Sequence, residues 1–245
     1  MLLNLIHGPQ HSSEKLDVLI PDIHKSGRRL QIPDNSNVLV KTHYMLSVSM
    51  PLFEHTAGFI YMVRNPMDVM ISNLNYAFTM HGIVNDPAVR HQIKKQYIEQ
   101  FISYCGDPYW IRLGRGSWIE NVRSWITNES GLPNLILRYE DLLADPVSHL
   151  GKIGNFLKLN ASQADLQSAV NNSSFRRMKE IEEEELAGKR RGFYLSESTE
   201  ESITAGNLFM FRGKAGEGEK ELTPAQRERF LAQFGPTMEL AGYRL

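Results

Sequence analysis

Residues 59–73, Phe59-Ile60-Tyr61-Met62-Val63-Arg64-Asn65-Pro66-Met67-Asp68-Val69-Met70-Ile71-Ser72-Asn73, run five apolar side chains straight into an arginine. A strand covered on both faces needs no polar alternation, so Phe59–Val63 is predicted to be a buried parallel strand. Asn65-Pro66 ends it and suits the first turn of a helix over about Pro66–Met80, because proline at the first helical position loses no hydrogen bond. Arg64 then stands at the carboxyl end of a strand, where open α/β sheets bind ligands. Arg64, a fork of charged donors, and Ser72, a hydroxyl, can both face one phosphate.

The same grammar repeats outward from this stretch. Val38–His43 reads as a short buried strand ending in polar groups, and Asn134–Tyr139 as a third strand ending at Glu140-Asp141. Helical patterns occupy Asp86–Ile102, Trp118–Trp125, Leu142–Leu157 (despite Pro146), Ala161–Val170 and a last helix from Pro224, capped by Thr223. Strands alternating with helices imply βαβ units and a parallel sheet. The charges beyond Lys179 read as solvated surface. At 245 residues the chain is long enough for one sizeable core, and one domain over 1–245 is expected.

Composition narrows the function. A formal net charge of −1 argues against a nucleic-acid footprint, so an anion site must come from a few placed cations. One cysteine, Cys105, excludes an intrachain disulfide and a Cys-rich metal site. The histidines show no metal-ligand spacing, and no metal is expected. No apolar run approaches the roughly 18 residues of a membrane span, and the start lacks the basic flank of a signal peptide. A cytoplasmic protein without membrane contact is the plain expectation.

The polar strand ends carry the candidate chemistry. Lys41-Thr42-His43, Arg64 and Tyr139-Glu140-Asp141 would share one rim of a parallel sheet. His43, with an ordinary pKa of about 6.5, is the natural proton acceptor for an alcohol, phenol or amine. Lys41 can neutralise charge on a transferring group. Arg212-Gly213-Lys214-Ala215-Gly216 is a candidate anion clamp, its glycines allowing close backbone approach.

Together these pieces resemble the cytosolic-type sulfotransferases that use 3′-phosphoadenosine 5′-phosphosulfate (PAPS). Val63–Ser72 resembles the family's strand-loop-helix, in which Arg and Ser grip the 3′-phosphate. Lys41-Thr42-His43 is similar to the segment with the catalytic histidine and a nearby lysine. Arg138-Tyr139-Glu140-Asp141-Leu142 resembles the stretch whose tyrosine lies near the adenine. Ser173-Ser174-Phe175-Arg176-Arg177-Met178 resembles the stretch whose first residue and phenylalanine hold the adenine. Arg212–Gly216 resembles the loop that closes on the 3′-phosphate, although Phe211 stands where the family arginine is expected and Gly218 where a tryptophan often follows. Gly116-Ser117-Trp118 with Asn121–Trp125 is further similar to bacterial members acting on natural products.

The resemblance implies a three-layer P-loop-NTPase-like α/β fold with a central parallel sheet. It implies PAPS as co-substrate, 3′,5′-adenosine bisphosphate (PAP) as product, and a small-molecule acceptor with a hydroxyl or amine; homodimers are common in the family. The family's opening strand and phosphosulfate loop find no match in the sequence: Met1-Leu2-Leu3 resembles the region just after the family's first helix, and His24-Lys25-Ser26-Gly27-Arg28 is a lookalike with neither strand before it nor helix after it, so the expectation is either a sequence short at its N-terminus, the domain being incomplete there, or a degraded member. A sulfotransferase, or a non-catalytic nucleotide-binding remnant of one, is therefore the expectation. Acceptor contacts are expected from 1–22, 76–82, 107–117 and 188–204, with Tyr44, Tyr76, Phe78, Tyr109 and Trp110 offering aromatic surface.

Overall fold

The computed structural model describes residues 1–10, 12–13, 16–24, 37–80, 86–188, 192, 194, 208–210 and 213–245. Two parallel strands lie at its centre, β1 (Phe59–Val63) and β2 (Asn134–Arg138), with Ile60 opposite Leu135 and Met62 opposite Leu137. Side chains alternate between the faces of a strand, so this register puts Ile60, Leu135 and Leu137 on one side. There they pack against α8 (Pro146–Phe156), α9 (Gln163–Asn171) and α1 (Leu2–His7). Phe59 and Tyr61 face the other way, onto Trp125 of α6 (Trp118–Thr127), with ring centroids at 4.7 and 5.5 Å. Helices thus cover both faces, which gives the expected three-layer α/β arrangement around a small parallel sheet.

A second core joins α3 (Pro66–Met80), α4 (Pro87–Ser103) and the last helix, α11 (Pro224–Leu240). Phe101, Phe230 and Phe234 are wholly buried, with nearly parallel, stacked rings; the centroids of Phe230 and Phe234 are 4.0 Å apart. Short helices α2 (Leu16–Leu19) and α5 (Pro108–Arg112), and α7 (Tyr139–Ala144) and α10 (Phe175–Ala187), complete the described elements used below. Among the described residues no helix is long and apolar enough to cross a membrane.

Three expectations change. Among the described residues Val38–His43 forms no buried strand: Val38 and Lys41 are exposed, and the segment makes one parallel bridge there, Asp22 to Lys41. The helix expected over 142–157 is two helices. Asp145 accepts the Ser148 N–H at 3.1 Å as N-cap and Pro146 takes the first helical position, so proline starts a helix here rather than being tolerated inside one. The acidic run beyond Lys179 is not uniformly solvated. Glu182 is buried and accepts the N–H groups of Phe209 and Met210 at 2.6 and 2.8 Å, while Glu185 is buried against the Ser13 hydroxyl at 2.6 Å. The predicted cap at Thr223 is present as a capping box with Gln226.

Candidate active site

The carboxyl ends of β1 and β2 meet. The Arg64 guanidinium lies over the Tyr139 ring, 4.6 Å from its centroid, and its Nη2 reaches the Lys214 carbonyl oxygen at 3.5 Å. Its Nε is buried and has no hydrogen-bond partner. A buried charged donor left without an acceptor is costly, which marks a place prepared for an anion. The turn that presents Arg64 is built locally: the Asn65 N–H donates to Glu140 Oε1 at 2.8 Å, and Asn65 Oδ1 accepts the Met67 N–H at 2.9 Å. Glu140 Oε2 accepts the Tyr243 hydroxyl at 2.9 Å, which ties the end of the chain to the same corner.

The glycine segment comes to this corner from far along the chain. Gly216 and Gly218 donate their N–H groups to the buried Asp68 carboxylate, each at 2.8 Å. Gly213 has φ +62°, and a Cβ there would sit 2.3 Å from the Phe175 ring, so only glycine fits between loop and ring. Lys214 is exposed beside it. Arg212, expected to share this clamp, lies outside the described residues. Ser72 is exposed on α3 and makes no hydrogen bond with Arg64.

Ser173 is buried, and its hydroxyl is committed: it donates to the Ala169 carbonyl oxygen at 2.7 Å and accepts from Asn4 Nδ2 at 2.6 Å. Ser174, its neighbour, caps α10 by accepting the Arg177 N–H at 3.3 Å, which places Phe175 in the first turn.

The Lys41–His43 segment forms the second half. Lys41 Nζ pairs with Asp22 Oδ2 at 3.2 Å, and Asp22 Oδ1 accepts the His24 N–H at 2.9 Å. His24 Nε2 in turn accepts the His43 backbone N–H at 2.7 Å, so His24 carries its proton on Nδ1. The His43 ring meets Trp110 edge-on at 4.9 Å. Burial, and then the Lys41 charge, push the His43 imidazole down to about 4 from its ordinary 6.5. Burial would raise the Asp22 carboxyl, but the His24 N–H and the Lys41 ammonium hold it below its ordinary value.

Helix α6 spans the two halves. Trp118 Nε1 donates to the Arg64 carbonyl oxygen at 3.2 Å. One turn later, Asn121 Nδ2 donates to the carbonyl oxygens of His43 and Arg115, at 3.1 and 3.0 Å, while its Oδ1 accepts the Tyr61 hydroxyl at 3.0 Å. Ser117 caps the helix with a capping box to Glu120. The structure therefore brings Arg64, Tyr139, Gly213, Lys214 and Phe175 around one corner and His43 with Lys41 around another, joined by one rigid helix.

Of the aromatic candidates, Trp110 faces His43, and the Tyr44 ring lies tilted against His24 with centroids 4.1 Å apart. Tyr76 pairs with Phe209 and Phe78 lies under Arg90, while Tyr109 is exposed. A cleft of about 340 Å³ runs between residues 44–51 and Gly114. The roles of Asp22, His24 and Asp68 escape the sequence, because each depends on a partner distant in the chain.

A family model described as a sulfotransferase domain matches residues 6–242. Sulfotransferase 1A1 of Rattus norvegicus is 29% identical over 201 residues, covering 82% of this chain and 62% of the relative. Sulfotransferase 1C2 of Homo sapiens is 29% identical over 202 residues, with the same coverage of 82% and 62%. The solved structure of retinol dehydratase with androsterone and the inactive cofactor PAP superposes with a TM-score of 0.61 at 21% identity, covering 87% of this chain and 57% of that one. The chain thus spans about three fifths of the length of these relatives.

Proposed function

Because the chain belongs to the sulfotransferase domain family, we propose that it binds PAPS and serves transfer of its sulfuryl group to a hydroxyl of a small molecule. The observation that carries this reading is the buried, partnerless Nε of Arg64 beside the Tyr139 ring and the Gly213–Lys214 backbone. A 3′-phosphate there would give Arg64 its missing acceptor and take a second cation from Lys214. Arg212 and Ser72 would complete the grip. The adenine would lie by Tyr139, Phe175 and Ser173. Since the Ser173 hydroxyl already donates its proton to Ala169, its remaining lone pair suits the donor edge of adenine, the exocyclic amino group.

His43 takes the acceptor's hydroxyl proton as that oxygen attacks sulfur in line. The bond from sulfur to the bridging phosphate oxygen breaks, and PAP leaves with the electron pair. Lys41 offsets charge on the sulfuryl oxygens, and it must turn from Asp22 to do so. Catalysis on this reading is positioning and electrostatics, with no covalent enzyme intermediate. An imidazole held near 4 is a weak base in the free protein. The negative charge of the bound nucleotide acts against Lys41 and Arg115 and brings its pKa back towards neutrality.

The aromatic rim of Tyr44 and Trp110 supports a ring-bearing natural product as acceptor, and a cytoplasmic setting fits this chemistry. The deciding test is a calorimetric titration of the chain with PAP. Binding that weakens at least ~10-fold in Arg64→Ala, the value of a charged hydrogen bond, is expected. No binding up to millimolar PAP would overturn the reading.

A further inference from the structure

Among the described residues, Arg115 is the cation beside His43 whose charge the fold leaves unanswered. It follows Gly114 in the turn between α5 and α6, and the Asn121 amide holds its backbone next to that of His43 by donating to both carbonyl oxygens. Its own N–H donates to the Trp110 carbonyl oxygen at 3.1 Å, and its guanidinium lies over the Trp110 ring at 4.9 Å, the ring whose edge meets His43. The side chain is only half-exposed. Its Nε is buried without a hydrogen-bond partner, and no carboxylate among the described residues pairs with it. The other cation here, Lys41, is already paired with Asp22. A cation–π contact leaves a guanidinium's in-plane donors unused, and a buried unused donor is stabilised by any acceptor brought to it.

We propose that Arg115 recognises an anionic group on the acceptor, so that the acceptor class is a hydroxylated carboxylic acid, its ring lying along Trp110 and Tyr44. This rests on the reading of His43 as the base that faces the acceptor hydroxyl. A planar carboxylate matches the guanidinium fork, whereas a neutral acceptor would leave Nε buried and unmet. The anion would also offset the positive charge with which Arg115 depresses both His43 and His24.

The test is calorimetry on the full chain with three phenolic acids of increasing reach, 4-hydroxybenzoate, 4-hydroxyphenylacetate and 3-(4-hydroxyphenyl)propionate, each against its own amide, with and without PAP. At least one acid is expected to bind ~10-fold more tightly than its amide, the value of one charged hydrogen bond. Arg115→Gln is expected to abolish that preference and Arg115→Lys to keep part of it, with far-ultraviolet circular dichroism unchanged. The preference in the unsubstituted chain should also shrink as salt rises. No acid preferred over its amide, or a preference that survives Arg115→Gln, would overturn the proposal. PAP binding is scored separately: its absence with the acid preference intact sinks the nucleotide reading alone, and PAP binding with no acid preference sinks the Arg115 assignment alone.

Discussion

The Asp68 carboxylate, in the first turn of α3, accepts the Gly218 backbone N–H at 2.8 Å across 150 residues of chain. A second bond from Gly216 makes it a two-point anchor for the glycine loop, four residues from Arg64. The helix that follows Arg64 therefore also places the segment that would close over the same anion. Asp68→Asn keeps the shape but puts an NH₂ against one of the two backbone donors. That should lower stability by about 1–3 kcal/mol, the cost of an unmet buried donor, and weaken PAP binding. Chemical denaturation and calorimetry measure the two effects, and an unchanged PAP affinity would detach the loop from the anion site.

Two nearby glycines should lose stability to very different degrees on gaining the same methyl group. At Gly218 a Cβ would lie 2.2 Å from the Met67 carbonyl carbon and oxygen, which are backbone atoms and cannot turn aside. At Gly216 nothing lies within 4 Å, although φ is +79°. Gly216→Ala should cost only the left-handed penalty of about 1 kcal/mol. Gly218→Ala should push the loop off α3, with a larger loss of stability and a fall in PAP affinity. A melting series of both variants with and without PAP checks the order, which steric contact alone fixes.

The local elements were legible in the sequence, and the contacts between them were not. Phe59–Val63, Asn65-Pro66 and Pro66–Met80 stand where an apolar run, a proline and a 3.6-residue pattern predict them, because those signals act over neighbours in the chain. Val38–His43 has the same apolar look but, among the described residues, no strand partner beyond Asp22, since β-pairing depends on what lies alongside. The burial of Glu182 is likewise invisible from its acidic neighbours, because it exists to receive two N–H groups from 209–210. At the site, Arg64 and Tyr139 are readable as strand ends. Their 4.6 Å contact follows from parallel register, which no local pattern encodes.

Asn121 is the joint between the two halves of the site, and its removal should separate binding from transfer. Its amide holds the His43 and Arg115 carbonyl oxygens and the Tyr61 hydroxyl. Asn121→Leu leaves those groups unpaired in a half-buried place, which should cost about 1–3 kcal/mol. Arg64 remains held by Trp118, so PAP binding should change less than about twofold, a factor worth only ~0.4 kcal/mol. Turnover, or acceptor affinity where turnover is absent, should fall ~10-fold or more as His43 loses its position. Equal losses of PAP and acceptor binding would contradict the division.

The depressed His43 imidazole gives stability a pH dependence with a defined sign. Above about pH 6.5 the ring is neutral in both folded and unfolded chains. Below it the unfolded chain takes up a proton that the folded chain refuses until about pH 4, so stability present above 6.5 is lost progressively as pH falls from 6.5 to 4. His24, also depressed by burial and by Arg115, acts in the same direction. The His43 backbone N–H donates to His24 Nε2, and a proton on that nitrogen would break the bond. His43→Gln should flatten part of this loss, and His24→Gln, whose amide oxygen can still accept that N–H, should flatten another part. Denaturation midpoints measured between pH 7 and 4 for the three proteins test this. Bound PAP should move the His43 titration upward, read directly from its ring resonances, because the nucleotide's charge favours the imidazolium that Lys41 and Arg115 now oppose. A titration that stays near 4 with PAP bound would mean that the nucleotide's charge does not reach His43, and would remove it as the base for transfer.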